Sequence, residues 1–464
     1  NKNSKSKISN VSSLTYPNVG FGFANLPSSQ SIHFKNATLW TNESEGVINN
    51  TDIIIDTGKI ISIGKNLNTP ENFKVIDATN KHITSGIIDE HSHMGASSIN
   101  EGGHNSSAEV SIMDVIDPDD INIYRNLAGG VTTVQILHGS ANPIGGQSAI
   151  IKLRWGSEID NMFFKDADSF IKFALGENVK QSNWGGSRFP QTRMGVEQVF
   201  IDHFDRAAEY ADKWTKYNSL SKRQKNFADT PRFDEELETL WEIMRGDRFV
   251  SSHSYVQSEI NMLMKVAEKF NFRINTFTHI LEGYKVADIM REHGVGASTF
   301  SDWWGYKYEV NDAIPYNASI MHNAGVTVAL NSDSSELSRR LNLEAAKAVK
   351  YGGVSEEEAW KFVTLNPAKL LHLDDKVGSL KIGKHADIVI WSGHPMSLYT
   401  KVEQTYIDGS LYFDQEQHKN KIEEIQKEKT ELIKLMFEDN TPGGNLNYPN
   451  PRAQREVNCE TTEF

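Results

Sequence analysis

The feature that most constrains this chain is a regular alternation between residues 83 and 333. Short apolar runs, each about as long as a buried β-strand, are separated by segments whose apolar residues have helical spacing. There are eight runs, at residues 83–91, 131–137, 149–153, 170–175, 249–253, 273–280, 294–298 and 326–330. Eight strands alternating with helices over about 250 residues predict an α/β fold of the (β/α)8 TIM-barrel type. A doubly wound sheet is the alternative, although six or seven strands are commoner there.

Segments rich in β-branched residues flank this region on both sides. On the N-terminal side they include residues 52–56 and 59–63, and on the C-terminal side residues 378–391 and 402–413. We expect the two sides to pair into one small domain. The predicted parts are a flexible N-terminal arm (1–30), a small β-sandwich domain (31–82 plus 376–415), the barrel (83–375), and a C-terminal helix with an extended tail (416–464).

Composition excludes several classes of function. Acidic residues outnumber basic ones by 61 to 48, and the net charge of −13 disfavours a nucleic-acid partner. No apolar stretch approaches the roughly 18 residues of a membrane span. Cys459 is the single cysteine, so any metal must bind histidines and carboxylates rather than a thiolate cluster. The chain starts at Asn1 rather than Met, which is compatible with a processed protein exported to the periplasm or medium and equally with a cloning boundary; a cytoplasmic location is the alternative.

The sharpest local signal is the segment GIIDEHSH at residues 86–93, in which a buried strand ends in His-x-His. The two-residue period of a strand places His91 and His93 on the same side, so both imidazoles can point into one barrel mouth. Such a pair suits a divalent cation. Two histidines in a solvated loop are the alternative interpretation.

Polar residues also follow four later strands of the predicted barrel. Glu177 follows the fourth strand, His253 the fifth, His279 the sixth and Asp333 the eighth. All four face the same mouth if the strand count is right. Buried imidazoles and carboxylates are costly without partners, so this recurrence favours a metal site.

Several motifs together resemble the amidohydrolase superfamily and, within it, the imidazolonepropionase-like and prolidase-like enzymes. The resemblance extends over about residues 50 to 415, most of the chain. The motifs that carry it are SGIIDEHSH (85–93), GVTT (130–133), TH (278–279), NSD (331–333), TLNPA (364–368) and GSLKIGKHAD (378–387).

The resemblance implies a metal-dependent hydrolase of one or two ions. It implies that His91 and His93 hold the more buried ion and that His253 and His279 hold the second. Asp333 would bind the first ion and accept a proton from the hydrolytic water. This ligand set suits Zn²⁺ best, with Mn²⁺, Co²⁺ or Fe²⁺ as alternatives.

The fourth strand offers two candidates for a further ligand. The family uses a carboxylated lysine within this strand or a glutamate at its end, and Lys172 and Glu177 match these positions. The family alone favours the lysine. We expect Glu177, because Gly176 lets the backbone turn at the strand end and presents the carboxylate to the mouth. Lys172 remains the alternative.

Substrate contacts are predicted at four polar residues near the mouth. His138 and Gln147 lie in the segment after the second strand, and a purely structural loop is as good an interpretation. Arg188 and Arg193 lie in the insertion after the fourth strand and could pair with a substrate carboxylate. In the alternative interpretation these arginines bond to the backbone of their own loop.

The sequence therefore predicts hydrolysis of the C–N bond of an amide, dipeptide or cyclic amide, with a small-molecule substrate. A hydrolytic deaminase of the same superfamily is the first alternative. Val256 counts against it, because deaminases of the family usually carry a glutamate three residues after the histidine of the fifth strand, here His253. A catalytically inert barrel protein is the second alternative. Assembly into a homo-oligomer stays open.

Overall fold

The computed structural model describes residues 14–181 and 186–438. The first 13 residues of the predicted arm, and the tail from residue 439, lie outside this part. Within the arm, the ring of Phe21 stacks on Tyr124 with 4.8 Å between centroids, and the Phe21 carbonyl accepts a hydrogen bond from Trp155 Nε1. This part of the arm therefore lies against the barrel.

Each of the eight predicted runs contains a strand. The strands are β1 (Ile32–Trp40), β2 (Val47–Asp56), β3 (Lys59–Gly64), β4 (Lys74–Asp77), β5 (His82–Ser85), β6 (Ile87–Ser92), β7 (Val131–Ile136), β8 (Ile144–Gln147), β9 (Ala149–Lys152), β10 (Ser169–Ala174), β11 (Arg248–His253), β12 (Thr276–Thr278), β13 (Gly296–Thr299), β14 (Val328–Leu330), β15 (Ile388–Trp391), β16 (Val402–Ile407) and β17 (Ser410–Asp414).

Helices separate most of the barrel strands. They are α1 (Ile121–Leu127), α2 (Ile159–Met162), α3 (Asn178–Gln181), α4 (Arg193–Ser219), α5 (Lys222–Lys225), α6 (Glu235–Arg245), α7 (Gln257–Lys269), α8 (Ala287–His293), α9 (Asn317–Asn323), α10 (Leu341–Gly352), α11 (Glu356–Lys361), α12 (Leu365–Leu370) and α13 (Gln415–Glu438). No helix in the described chain is long and apolar enough to span a bilayer.

The sequence around α6 shows why these segments become helices. The carboxylate of Asp234 caps the first turn by accepting a hydrogen bond from the backbone N–H of Leu237. Leu240 and Ile243 fall on one face and are buried. Gly246, in the left-handed conformation at φ +83°, ends the helix.

The barrel strands form two sheets that together make a TIM-barrel-like ring. Strands β10 to β14 run parallel in one sheet, and β6 pairs parallel with β7 in the other. On one side the sheets are joined through the consecutive strands β8 and β9, which pair with β10 and β7 respectively. On the other side, Asp333 N–H donates to His91 O at 3.0 Å. Among the described residues the strand ladder does not close continuously.

The third predicted strand differs from the expectation in its direction. β9 contains the run at 149–153, but it is antiparallel to β7. Residues 137–143 between β7 and β8 contain no helix. Because a parallel crossover needs a dozen or more residues, this short connection returns the chain in the opposite direction.

The flanking strands from the two ends of the chain pair as expected, since β15 is antiparallel to β5 with Ile388 opposite Ser85. The predicted sandwich is not confirmed. The strands lie in one eight-stranded sheet of order β17-β16-β15-β5-β1-β2-β3, with β4 added along β1. β1 has room for both β4 and β5 on one edge, because β4 pairs with its first half and β5 with its second.

The interior of the barrel is apolar at its base. Ile88 of β6, Ile150 of β9 and Phe170 of β10 form one buried cluster with Ala368 of α12 and the adjacent Leu371. Helix α12 therefore closes the end of the barrel at which the parallel strands begin. The opposite end, where these strands finish, carries the polar residues predicted from the sequence.

Candidate metal centre

The predicted ligands lie at the ends of four strands. His91 is the last residue but one of β6, and His93 directly follows that strand. His253 is the last residue of β11. His279 follows β12 and Asp333 follows β14. Because these strands are parallel within their sheets, their ends meet at one mouth of the ring.

Asp333 lies at the centre of the group. Its Oδ1 is 3.0 Å from His93 Nε2, 3.4 Å from His91 Nε2 and 3.6 Å from His279 Nε2. His91, His279 and Asp333 each offer a ligand atom within 4.8 Å of the other two. His253 completes the group, with its ring centroid 5.2 Å from that of His279. All four imidazoles are fully buried.

Two of these residues adopt a conformation that is unusual outside glycine. His279 has φ +54° and Asp333 has φ +47°, both in the left-handed region. Such residues are a source of strain, and they persist where the surrounding structure holds them. Here hydrogen bonds hold the chain, since Asp333 N–H donates to His91 O and His93 N–H donates to Ser334 O.

Asp89 is a functional residue that the sequence reasoning did not single out. Its carboxylate accepts hydrogen bonds from the hydroxyls of Ser332 and Ser338, at 2.5 and 2.6 Å, and from the backbone N–H of His91 at 3.2 Å. It therefore ties β6 to the segment that carries Asp333. A buried acidic residue is costly without partners, and Asp89 directly before the His-x-His segment was the available signal.

The protonation states suit metal ligands. Burial lowers the pKa of His91, His93, His253 and His279, and lowers that of His279 to about 3. Burial alone would raise the pKa of Asp333, but His279, His91 and His93 hold it well below its ordinary value. Neutral imidazoles and an ionised carboxylate are the forms that bind metals.

The ring nitrogens of His253 and His279 provide a further test of whether the site fits a metal ion. Neither nitrogen of His253 or of His279 has a hydrogen-bond partner among the described residues, although both rings are buried. Aromatic neighbours fix their orientation, because His253 packs edge-on against Tyr255 and His279 stacks on Phe300. Buried donors and acceptors without partners are rare in native proteins, so these nitrogens fit a divalent cation.

The two candidates of the fourth strand lie in different surroundings. Lys172 is fully buried on the inward face of β10, with its Nζ 3.1 Å from His91 Nε2. Glu177 lies in the turn after β10, and its backbone N–H donates to the carboxylate of Glu309 at 3.0 and 3.1 Å. The structure thus places Lys172 against the histidines, whereas our expectation favoured Glu177. The reason is that a lysine side chain in mid-strand is long enough to reach the strand end.

The residues after the second barrel strand are held by backbone contacts. His138 Nε2 accepts a hydrogen bond from Glu101 N–H, and its Nδ1 donates to Gly139 O, each at 2.8 Å. Gln147 Nε2 donates to Ala108 O and to the Thr239 hydroxyl. Both side chains stabilise loops at the mouth, as in the structural interpretation.

The two arginines of the insertion also have partners within the protein. Arg188 donates to the backbone carbonyl oxygens of three loop residues, Gly102, His104 and Ala141, and of Val179 in α3. Arg188 therefore bonds to backbone carbonyls, as in the alternative interpretation, but three of the four belong to other loops rather than to its own.

Arg193 has acidic partners instead. Its Nε lies 3.3 Å from Glu259 Oε1, and Glu309 Oε2 lies 4.0 Å from its terminal nitrogen. Glu259 also accepts from Gly176 N–H at 3.3 Å. Glu259 and Glu309 thus hold the turn after β10, a role that sequence spacing alone does not reveal because both belong to distant segments.

Comparison with known proteins agrees with this geometry. The sequence profile of the Amidohydrolase family matches residues 83–428. The chain belongs to the amidohydrolase family. Amidohydrolase tasK of Hapsidospora irregularis is 29% identical over 401 residues, which are 78% of this chain. The chain spans only 40% of the length of that relative.

Two further amidohydrolase-family proteins cover more of their own length. Imidazolonepropionase of Picrophilus torridus is 25% identical over 385 residues, 75% of this chain and 88% of that protein. The crystal structure of an amidohydrolase from Thermotoga maritima has a TM-score of 0.77 and 32% identity, over 83% of this chain and all of that one. Family membership assigns this chain to the hydrolases of carbon–nitrogen bonds.

Proposed function

We propose that this protein is a metal-dependent amidohydrolase that cleaves the C–N bond of an amide, dipeptide or cyclic amide with activated water. The observation that carries the proposal is the position of Asp333 Oδ1, within 3.0–3.6 Å of Nε2 of His93, His91 and His279. One carboxylate among several neutral imidazoles is a ligand set for Zn²⁺, with Mn²⁺, Co²⁺ or Fe²⁺ as alternatives.

Five side chains from four strand ends would hold one or two ions. His91, His93, His253, His279 and Asp333 supply the nitrogen and oxygen ligands. We assign the further ligand to Lys172 rather than to Glu177, because its Nζ is buried 3.1 Å from His91 Nε2. As a carbamate formed with carbon dioxide, Lys172 would offer two oxygens and a negative charge at this place.

A bound divalent ion polarises a carbonyl group and lowers the pKa of water towards neutrality. Asp333 then acts as the general base and acid. Its ionised carboxylate accepts a proton from the attacking water and delivers it to the leaving nitrogen. Asp89 and the backbone bonds to His91 keep the carboxylate in position for both steps.

The choice among substrates follows from the residues around the metal centre and from the relatives. Loops set specificity on this fold, and here they are braced by His138 and Arg188, so the entrance is fixed in shape. The name of the Picrophilus torridus relative, imidazolonepropionase, indicates a ring amide as the substrate of that enzyme. We therefore place small cyclic amides and dipeptides first among the substrates to be tested.

Hydrolytic deamination is the less suitable reaction for this site. The position that carries a glutamate in deaminases of the superfamily is Val256 here, which cannot deliver a proton to a ring nitrogen. In an inert protein, the buried imidazoles would be retained without a use, and their unpaired nitrogens would only destabilise the fold.

Elemental analysis combined with a hydrolysis screen tests the proposal. Dipeptides, N-acyl amino acids and lactams are offered to the metal-loaded protein, to the chelated protein and to the double variant His91→Ala/His93→Ala. We expect turnover of at least one class by the loaded protein only, with less than one ion bound in the double variant. Full metal occupancy of that variant, or no turnover of any class, would contradict the proposal.

A further inference from the structure

The barrel contains a second buried feature beneath the metal centre, and it does not depend on the proposed reaction. Along each strand, the next inward-facing residue after the apolar base lies closer to the metal centre. Ile88 and Phe170 belong to that base, and Lys172 follows Phe170 by two residues on the same face of β10. Glu90 also lies inside the ring, where the register of β6 shifts between Asp89 and Ser92. Bulky branched side chains usually fill this level of a barrel. Here the level is polar.

Strand register adds residues from the neighbouring strands. Gln135 is paired with Ile150 of the apolar base, so it faces inward, and Thr133 lies on the same face of β7. On the other side of the ring, Thr278 is paired with the inward-facing His253. Asn331 donates to the Ser298 hydroxyl at 2.6 Å, and both lie next to the Glu90 carboxylate.

These side chains are buried and lack partners. The following atoms have no hydrogen-bond partner among the described residues: both carboxylate oxygens of Glu90, the hydroxyls of Thr133 and Thr278, both amide atoms of Gln135, and Oδ1 of Asn331. Each of the five residues is at most 1% exposed. We call this set the interior polar layer.

Unpaired polar atoms at this depth bear their full desolvation cost, and native proteins keep such groups bonded to protein or to ordered water. We propose that the interior polar layer binds a cluster of ordered water molecules beneath the metal centre.

The number and kind of the atoms indicate the size of the cluster. A buried water makes about three hydrogen bonds, so seven unpaired atoms call for roughly two or three waters. Water suits the mixture of groups, because it donates to the carboxylate and amide oxygens and accepts from Gln135 Nε2. A metal cation suits it less well, since the side-chain amide of Gln135 also presents N–H donors, which cannot bind a cation.

A crystal structure of the metal-loaded protein at high resolution is the first test. We expect two or three ordered waters within about 2.6–3.2 Å of Glu90, Gln135 and Asn331. A dry interior in which these side chains bond to one another would overturn the proposal. So would a cation, recognised by a ring of short oxygen contacts and by exchange with Rb⁺ in an anomalous map.

The isosteric variant Thr133→Val provides a second test. The expected change in Tm depends on whether the Thr133 hydroxyl binds water or is dry. If the hydroxyl binds water, the variant lowers the Tm of the metal-loaded protein, because it removes a hydrogen bond. If the hydroxyl is dry and unpaired, a methyl group in its place leaves Tm unchanged or raises it, and the proposal is wrong.

Thr405→Val is the matched control. The Thr405 hydroxyl is equally buried and donates to Leu127 O at 2.7 Å, so this variant gives the fall in Tm for loss of one buried hydrogen bond. We expect Thr133→Val to show a fall of the same order. Neither residue belongs to the metal centre, so activity need not be known for the comparison.

Discussion

The barrel carries two clusters of similar residue types, one near each end of β7; one is buried and the other is partly exposed. The upper cluster is the candidate metal centre, with Lys172, four histidines and Asp333. The lower cluster lies between the barrel and the flanking sheet and consists of Lys152, Arg154, His385, Asp387 and Asp408. Each has a lysine within hydrogen-bonding distance of a histidine. They differ in what balances their charges.

In the lower cluster the charges balance within the protein. Lys152 Nζ lies 2.9 Å from Asp387 Oδ2 and 2.6 Å from Asp408 Oδ1, and Arg154 lies 2.6 Å from the other oxygen of Asp408. Two cations therefore meet two carboxylates. The cluster links β9 to the ends of β15 and β16, and its role is to stabilise the contact between the two domains.

In the upper cluster, the histidine ring nitrogens outnumber the groups of the protein that could bond to them. Four imidazoles surround one carboxylate, and both nitrogens of His253 and His279 are without partners in the described chain. The two clusters contain similar residue types, so residue types alone do not distinguish a structural ion cluster from a candidate metal site. The upper cluster is distinguished by buried ring nitrogens that have no partner among the described residues and that a cation would satisfy.

Asp333→Asn should have the largest effect on the upper cluster. An amide cannot accept the proton of the attacking water, so turnover should fall by on the order of 10² or more. Circular dichroism and elemental analysis would confirm that the variant is folded and metallated. Near-normal turnover of a metallated variant would remove Asp333 from the proton-transfer role.

Paired variants of the fourth strand separate the two candidate ligands. Lys172→Ala should lower metal affinity by about ten-fold or more, because loss of a ligand costs at least as much as loss of a residue that supports one. Glu177→Gln keeps the size of the side chain and should leave metal content and turnover within a factor of two or three. The opposite pattern would restore the original expectation that Glu177 binds the metal.

Much of the ring was predictable from the sequence because its signals are local. Apolar runs gave the strands, and the two-residue period gave the side on which His91 and His93 lie. The direction of β9 was not predictable from its apolar run, because such a run is the same for either direction. It depends on the short connection after β7, which contains no helix.

Non-local contacts explain the remaining differences. The partners of Asp89 are Ser332 and Ser338, more than 240 residues away in the chain, and no spacing rule connects them. The choice between Glu177 and Lys172 as a ligand is also non-local, because it depends on how far a side chain of β10 reaches towards His91 of β6. The sequence predicted that strands from both chain ends pair in one small domain. Whether they form one sheet or a two-layered sandwich depends on which strand edges pair, and the sequence pattern does not specify this.

Lys152→Met tests the lower cluster. Removal of the lysine leaves Asp387 buried without its partner and should reduce the free energy of unfolding by about 3–5 kcal/mol. Metal content per folded molecule should not change, since the upper cluster is independent. The control is Lys81→Met, which breaks the half-exposed ion pair with Glu403 and should cost about 0–1 kcal/mol. Equal losses in both variants would contradict the account.

A smaller effect is expected from the titration of His385. Burial and the neighbouring Lys152 lower the pKa of His385, whose Nδ1 lies 2.8 Å from Lys152 Nζ. The unfolded state then takes up the proton first, so His385 costs stability as pH falls below about 6.5.

Urea unfolding at pH 7.5 and pH 5.5 would measure this effect with His385→Gln as the reference. The stability of the parent protein relative to the variant should be lower at pH 5.5 than at pH 7.5. A difference that is constant, or that grows as pH falls, would show that the imidazole does not have to be neutral at this place.

The central claim is that the upper cluster binds a divalent metal and the lower one does not. An anomalous difference map, measured above the zinc edge on crystals of the Zn²⁺-loaded protein, tests it most directly. The account predicts one or two peaks within about 2.0–2.3 Å of the ring nitrogens of His91 and His93 and the Asp333 carboxylate, and none at Lys152. A map without a peak among these histidines, or with its only peak at the lower cluster, would contradict it.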